Sequence, residues 1–158
     1  MSHVATIEIE IKDLVALRTA CAELGLELME HQKTYRCWGT GKRLDELTSY
    51  QKMSGKQLMP DGWTLSEMGQ CDHAIRVKGD TNGYEIGLAR RRDGGSGYLL
   101  LCDISGAHGI RQHADADFGK LKQGYAVEVA VRAAKRAGFR VLEKKVRTDG
   151  SVAIRTGR

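Results

Sequence analysis

The chain has 158 residues, 41% of them apolar and 28% charged, and a net charge of +5. That length suits one domain with a sizeable core, and no run approaches the roughly 18 apolar residues that a membrane-spanning helix needs. The basic balance favours anionic partners: nucleotides, nucleic acid or an acidic protein face.

Residues 4–12 alternate, with Ala5, Ile7, Ile9 and Ile11 on one side and Thr6, Glu8, Glu10 and Lys12 on the other, which predicts a half-buried strand. Asp13 stands where a helix N-cap belongs, Leu14, Leu17, Cys21 and Leu24 follow at helical spacing, and Gly25 closes the helix. A second strand is expected over 28–38, ending in Tyr35-Arg36-Cys37-Trp38. Residues 39–70 hold five glycines and the single proline, Pro60. They read as an excursion from the sheet, a candidate lid, with a short helix at 42–51.

Three strands come next. His73, Ile75 and Val77 alternate with Ala74, Arg76 and Lys78, Tyr84, Ile86 and Leu88 alternate with Glu85, Gly87 and Ala89, and the turns fall at Gly79–Gly83 and Asp93–Gly97. The third strand, Tyr98–Asp103, is apolar on both sides, which requires either cover on both faces or an oligomer interface. A polar loop at 105–116 leads to a long helix from Phe118 to Ala137, capped by Asp117, with Phe118, Leu121, Tyr125, Val129 and Ala133 as its buried stripe. Residues 139–155 form a hairpin turned by Asp149-Gly150. The expected fold is a single α+β domain over 1–158. It is a two-layer sandwich with a mostly antiparallel sheet of about seven strands, two helices on one face and the excursion at about 39–70.

Several spaced motifs carry a family resemblance: Met1-Ser2-His3 before the first strand, Ile11-Lys12-Asp13-Leu14, Leu24-Gly25, Tyr84-Glu85-Ile86-Gly87, Gly97-Tyr98 with Asp103, Lys120-Leu121-Lys122-Gln123 with Tyr125-Ala126, Gly138-Phe139 and Asp149-Gly150-Ser151. Together they make the chain similar to the uncharacterised family of hypothetical chloroplast reading frame thirty-five. Its relatives occur in cyanobacteria, other bacteria and bacteriophages. Residues 39–72 stand outside the resemblance, and the family implies a domain of unknown function with no catalytic residue to carry over.

Three constellations bear on chemistry. If Ile75 and Val77 face the helices, Arg76 and Lys78 face away, where Arg36, Trp38 and the run Arg90-Arg91-Arg92 would join them on an open basic face, with Trp63 of the excursion covering a ligand. Guanidinium groups grip phosphate in two-pronged fashion and an indole stacks on a base. His108, His113, Asp115 and Asp117 form a second set, able to offer nitrogen and oxygen ligands to a divalent metal. Cys71-Asp72-His73, with Cys37 and Cys102, is a third, a candidate zinc or thiol site against the plainer reading of reduced structural thiols.

No catalytic motif is present, and no cofactor is expected. The leading expectation is a non-enzymatic protein that binds a small phosphate-bearing ligand, such as a nucleotide or nucleotide-derived signal. In a bacteriophage it would act as a sponge against host immune signalling. The alternatives are a nucleic-acid-binding protein using the same face, an adaptor for a partner protein, and a metal-dependent phosphodiesterase. A homo-oligomer away from membranes is expected. So is a cytoplasmic location (the host's, if phage-encoded), because no basic region followed by an apolar stretch opens the chain.

Overall fold

The structure is a computed structural model that describes residues 3–158, apart from the side chain of His108. Met1 and Ser2, which open the first family motif, lie outside the described residues. The elements in chain order are β1 (Val4–Ile11), α1 (Leu14–Glu23), β2 (Leu26–Met29), α2 (Leu44–Ser54), a 3-10 turn (Leu65–Glu67), β3 (His73–Val77), β4 (Ile86–Arg90), β5 (Tyr98–Asp103), α3 (His108–Ala114), α4 (Gly119–Arg136), β6 (Arg140–Val146) and β7 (Val152–Gly157). The first five strands form one antiparallel sheet in the order β1-β5-β4-β3-β2, and β6 pairs with β7 in a sheet of its own.

Alternation along the strands splits the core into two layers. Ile7 and Ile11 of β1, Ile75 of β3, Ile86 and Leu88 of β4, and Leu100 and Cys102 of β5 pack against α1, α3 and α4. The opposite side chains, among them Val4, Ala74, Ala89 and Leu101, pack under Tyr35 and Cys37 of the segment after β2 and under Met59 and Met68 of the excursion. The two-sided apolar character of β5 is thus explained by cover on both faces. Gly87 lies directly under Tyr35: a Cβ there would sit 2.3 Å from Cδ1 of that ring. Glycine at this point lets the tyrosine ring lie flat on the sheet.

The helix layer is pinned near the β1–α1 turn. The Asp13 carboxylate accepts from the Ala16 backbone N–H at 3.0 Å and from Arg132 Nε at 2.7 Å. The Tyr125 hydroxyl accepts from the backbone N–H groups of Lys12 and Asp13 at 2.9 and 3.1 Å. Gly124 of α4 faces Ala20 of α1, where a Cβ would make an ordinary van der Waals contact at 3.5 Å.

Several expectations are corrected. The seven strands form sheets of five and two, because the closing hairpin lies outside the helix layer. There Lys144 bonds Glu128 of α4 at 2.7 Å and approaches Glu23 of α1. Three helices, α1, α3 and α4, pack on one face. The second strand ends at Met29, and the chain beyond it holds a single bridge between Thr34 and Gln70. The polar loop at 105–116 contains α3. Phe118, in left-handed conformation (φ 63°), takes the cap position of α4, while Asp117 accepts from the Gly119 N–H. The stripe of α4 is rotated from the expected one: Leu121, Tyr125, Glu128 and Val131 are buried, and Val129 and Ala133 are exposed.

Candidate functional site

The open basic face does not exist as expected, because the excursion covers the sheet opposite the helices. Its cations separate into two groups at opposite ends of β3 and β4. At one end Arg36 donates from Nε to the Gly83 carbonyl at 2.7 Å and pairs with the buried Glu85 at 3.4 Å. Arg76 pairs with Glu27, its cross-strand neighbour, at 3.0 Å. Lys78 is exposed, with no carboxylate partner among the described residues. Trp38 stacks at a tilt on Tyr50 of α2, ring centres 4.5 Å apart, under the Lys42 ammonium. Arg36 and Arg76 are satisfied internally and hold the excursion and β2 in place.

At the other end the structure brings four of the expected residues together. Trp63 lies between two adjoining cavities. One, of about 350 Å³, is lined by Trp63, Glu67, Asp72 and the three arginines Arg90, Arg91 and Arg92, with Gln70, Cys71 and Ala89 completing its wall. The other, of about 660 Å³, runs from Trp63 to Lys52 and Lys56 at the end of α2. The excursion therefore carries Trp63 and two lysines to the end of β4 and the turn that follows it. Lys52 and Lys56 were absent from the expected set. They share no cavity lining with Arg90–Arg92; Trp63 is the residue common to both cavities, and no local sequence signal announces that placement.

The electrostatics are graded. The Arg92 guanidinium stacks 3.6 Å from the centre of the Trp63 ring, a cation–π distance. Arg92 also hydrogen-bonds Glu67 and donates to the Gly62 carbonyl at 2.8 Å. That hydrogen bond to Arg92, with help from the Thr64 N–H, holds the Glu67 carboxyl down at about 2. Arg91 is bonded to Asp93, which lowers that carboxyl to about 2 as well. Arg90 has no carboxylate partner for its guanidinium among the described residues and sits over Tyr98 at 4.8 Å, while its backbone N–H donates to Asp72 at 3.1 Å. Lys52 and Lys56 are exposed and likewise unpaired. Five cations and two carboxylates line the combined site.

The other two constellations are not assembled. His113 Nδ1 is 2.8 Å from the Leu24 carbonyl, Asp115 accepts from the Ala116 N–H and Asp117 from the Gly119 N–H. The side chain of His108 lies outside the described residues, and among the described residues no three His, Cys, Asp or Glu side chains could hold a metal ion. Cys71 donates to the Gln32 carbonyl, and burial pushes its thiol up to about 12, so it is no thiolate at neutral pH. The adjacent His73 is occupied elsewhere: it accepts from the His31 backbone N–H at Nδ1 and faces the Tyr98 hydroxyl at 3.2 Å through Nε2. Cys102 packs toward the helices and Cys37 under the excursion, on opposite sides of the sheet.

No curated protein and no solved structure matches the chain. A family model described as "Protein of unknown function (DUF1257)" matches residues 43–154, a span that includes most of the excursion, which the sequence resemblance had set aside. With well over half its length inside that match, from α2 to the closing hairpin, the chain belongs to the DUF1257 family of proteins of unknown function.

Proposed function

We propose that the protein binds a small phosphate-bearing ligand, a nucleotide or nucleotide-derived signal, at Trp63 and releases it unchanged. One observation carries this reading: an indole sits at the junction of two cavities whose lining holds Lys52, Lys56, Arg90, Arg91 and Arg92. The arginine stacked on one side of the ring leaves the indole to pair with a base, an interaction worth about 1–3 kcal/mol. Lys52, Lys56 and Arg90 are free to meet phosphate oxygens. Arg91 and Arg92 are held by carboxylates and shape the site. The residues expected at the far end of the sheet, Arg36, Trp38, Arg76 and Lys78, are left out of this site. In a bacteriophage relative of the chloroplast reading-frame family, such a site would serve as a sponge for a host immune signal.

Isothermal titration with nucleoside mono-, di- and triphosphates, cyclic mononucleotides and dinucleotides tests the proposal. At least one should bind with micromolar affinity, about −8 kcal/mol, be recovered intact, and lose tenfold or more in Trp63→Ala and in Lys52→Glu/Arg90→Glu. A panel without heat overturns the reading.

A second reading, docking onto another protein or a second copy, is favoured by the groove beside β1. This strand is one of the two edges of its sheet, bonded beyond β5 at Val4, whose N–H donates to the Leu58 carbonyl, and the groove of about 920 Å³ next to it is lined by Ile9, Leu14, Val15, Tyr125, Ala126 and Val129, with Val15 and Val129 exposed. Sedimentation of the pure protein separates a self-associating chain from a monomer that needs a partner.

A further inference from the structure

The positive charge of the chain is not spread evenly. Residues 119–158, which are α4 and the hairpin, hold eleven Lys and Arg against three Asp and Glu, whereas residues 1–118 hold fourteen against seventeen. The last forty residues therefore carry +8 and everything before them −3. Pairing inside the structure does not cancel the excess. Arg132 and Arg136 are bound to Asp13, Lys144 to Glu128 and Glu23, and Arg155 to Glu143. Lys120, Lys135, Arg140, Lys145, Arg147 and Arg158 are exposed and have no carboxylate partner among the described residues.

Arg140, Lys145 and Arg147 are spread along one strand and its end, while Lys120 and Lys135 stand on α4. β6 and β7 form a two-stranded ribbon laid along α4, with the hairpin turn next to Gln123, which bonds the Gly150 carbonyl. Lys144 points inward to Glu128, so strand alternation directs Lys145, paired across the ribbon with Ala153, to the outer face. Arg140 and Arg147 stand at the two ends of β6, about 23 Å apart at roughly 3.3 Å per residue. Val146, 70% exposed, falls on the Lys144 side of the strand, and Leu142, 52% exposed, stands at the register shift between Val141 and Glu143.

We infer that the α4–β6–β7 surface binds the phosphate backbone of duplex DNA, at a site separate from Trp63. A polymer with evenly spaced phosphates matches cations spaced along a ribbon. Lys135 and Arg140 share a cavity of about 570 Å³ with Phe139, but Glu23 and Glu128 line it as well and oppose a phosphate there, whereas Lys120, Lys145 and Arg147 lie outside that lining. The major groove of B-form DNA admits a two-stranded β-ribbon. The deep, narrow major groove of duplex RNA does not admit side chains.

The test is fluorescence anisotropy of the full chain with a 20-base-pair duplex DNA of mixed sequence, repeated with the single strand, with duplex RNA of the same sequence and with phosphatidylserine vesicles. Four phosphate contacts predict a log–log salt slope of about −3 to −4, a loss of about a hundredfold between 50 and 200 mM salt. Arg140→Glu/Lys145→Glu/Arg147→Glu should lose tenfold or more. Arg140→Gln/Lys145→Gln/Arg147→Gln, which removes charge without reversing it, should lose less and guards against misfolding of the first. Lys52→Glu/Lys56→Glu should bind DNA as the parent does, and the ribbon variants should keep any nucleotide heat, so this inference and the proposal for Trp63 fail separately. No duplex binding at 50 mM salt, binding that survives charge reversal on the ribbon, or preference for RNA or vesicles over duplex DNA would overturn the inference.

Discussion

Arg92 lies over the Trp63 ring at 3.6 Å and is held there by hydrogen bonds to Glu67, joining the turn after β4 to the 3-10 turn of the excursion. One side chain therefore orients the indole and links two segments 25 residues apart in the chain. The pair lies between the proposed ligand site and the excursion core, so it should affect both.

The Glu67 carboxyl is held at about 2 chiefly by Arg92, against an ordinary value of 4.5. A depressed carboxyl contributes stability that is fully present above about 4.5 and is lost as pH falls toward about 2. Melting temperature should therefore drop on acidification through this window, and Glu67→Gln should drop less over the same range while being less stable at pH 7. Equal slopes in the two proteins would show that the pair is too solvent-screened to matter.

Tyr35 is buried with its hydroxyl unpartnered among the described residues, and burial pushes the pKa of that hydroxyl well above the ordinary tyrosine range. An unmet buried hydroxyl costs about 1–3 kcal/mol. Tyr35→Phe keeps the ring on Gly87 and should be neutral or stabilising by about 1 kcal/mol. Denaturant titration checks this; a loss above about 1 kcal/mol would mean the hydroxyl has a partner.

Gly87→Ala should be costly, because its Cβ would meet the Tyr35 ring at 2.3–2.9 Å on three atoms. Overpacking of this kind costs about 1–3 kcal/mol. The double variant Gly87→Ala/Tyr35→Ala should recover part of the loss caused by the clash, visible as non-additivity in a thermal-melt cycle. Strict additivity would place the Tyr35 ring elsewhere.

Lys144→Ala should loosen the closing hairpin, since it removes the hydrogen-bonded partner of Glu128, which is only 5% exposed. Breaking a buried pair costs about 3–5 kcal/mol, reduced here because the lysine side is 37% exposed. Hydrogen exchange should rise across 140–157 before it rises in the five-stranded sheet. Unchanged protection in the hairpin would contradict that anchoring role.

The sequence made local features legible where one residue type has one local job. Asp13 caps α1 through its own carboxylate, and the Asp149 carboxylate accepts from the Ser151 N–H as a tight turn requires. The phase of α4 was misread because Glu128 takes a buried position that an apolar stripe leaves to Val129. Its partner Lys144 is 16 residues away. The open basic face was misread for the same reason on a larger scale: Arg36 meets Glu85 across 49 residues and Arg92 meets Glu67 across 25, and no spacing rule announces such pairs. Counting charge by segment would have moved attention to residues 119–158, because that count needs no contacts at all.

The most direct test of the central claim uses Trp38→Phe, which leaves Trp63 as the single tryptophan, since the chain has two. Its fluorescence is followed while nucleoside phosphates, cyclic nucleotides and dinucleotides are titrated in. A ligand stacking at the site should change the Trp63 emission saturably, and Lys52→Glu/Arg90→Glu in the same background should shift the midpoint tenfold or more. Emission that stays constant to millimolar concentrations of every compound would contradict phosphate-ligand binding at Trp63.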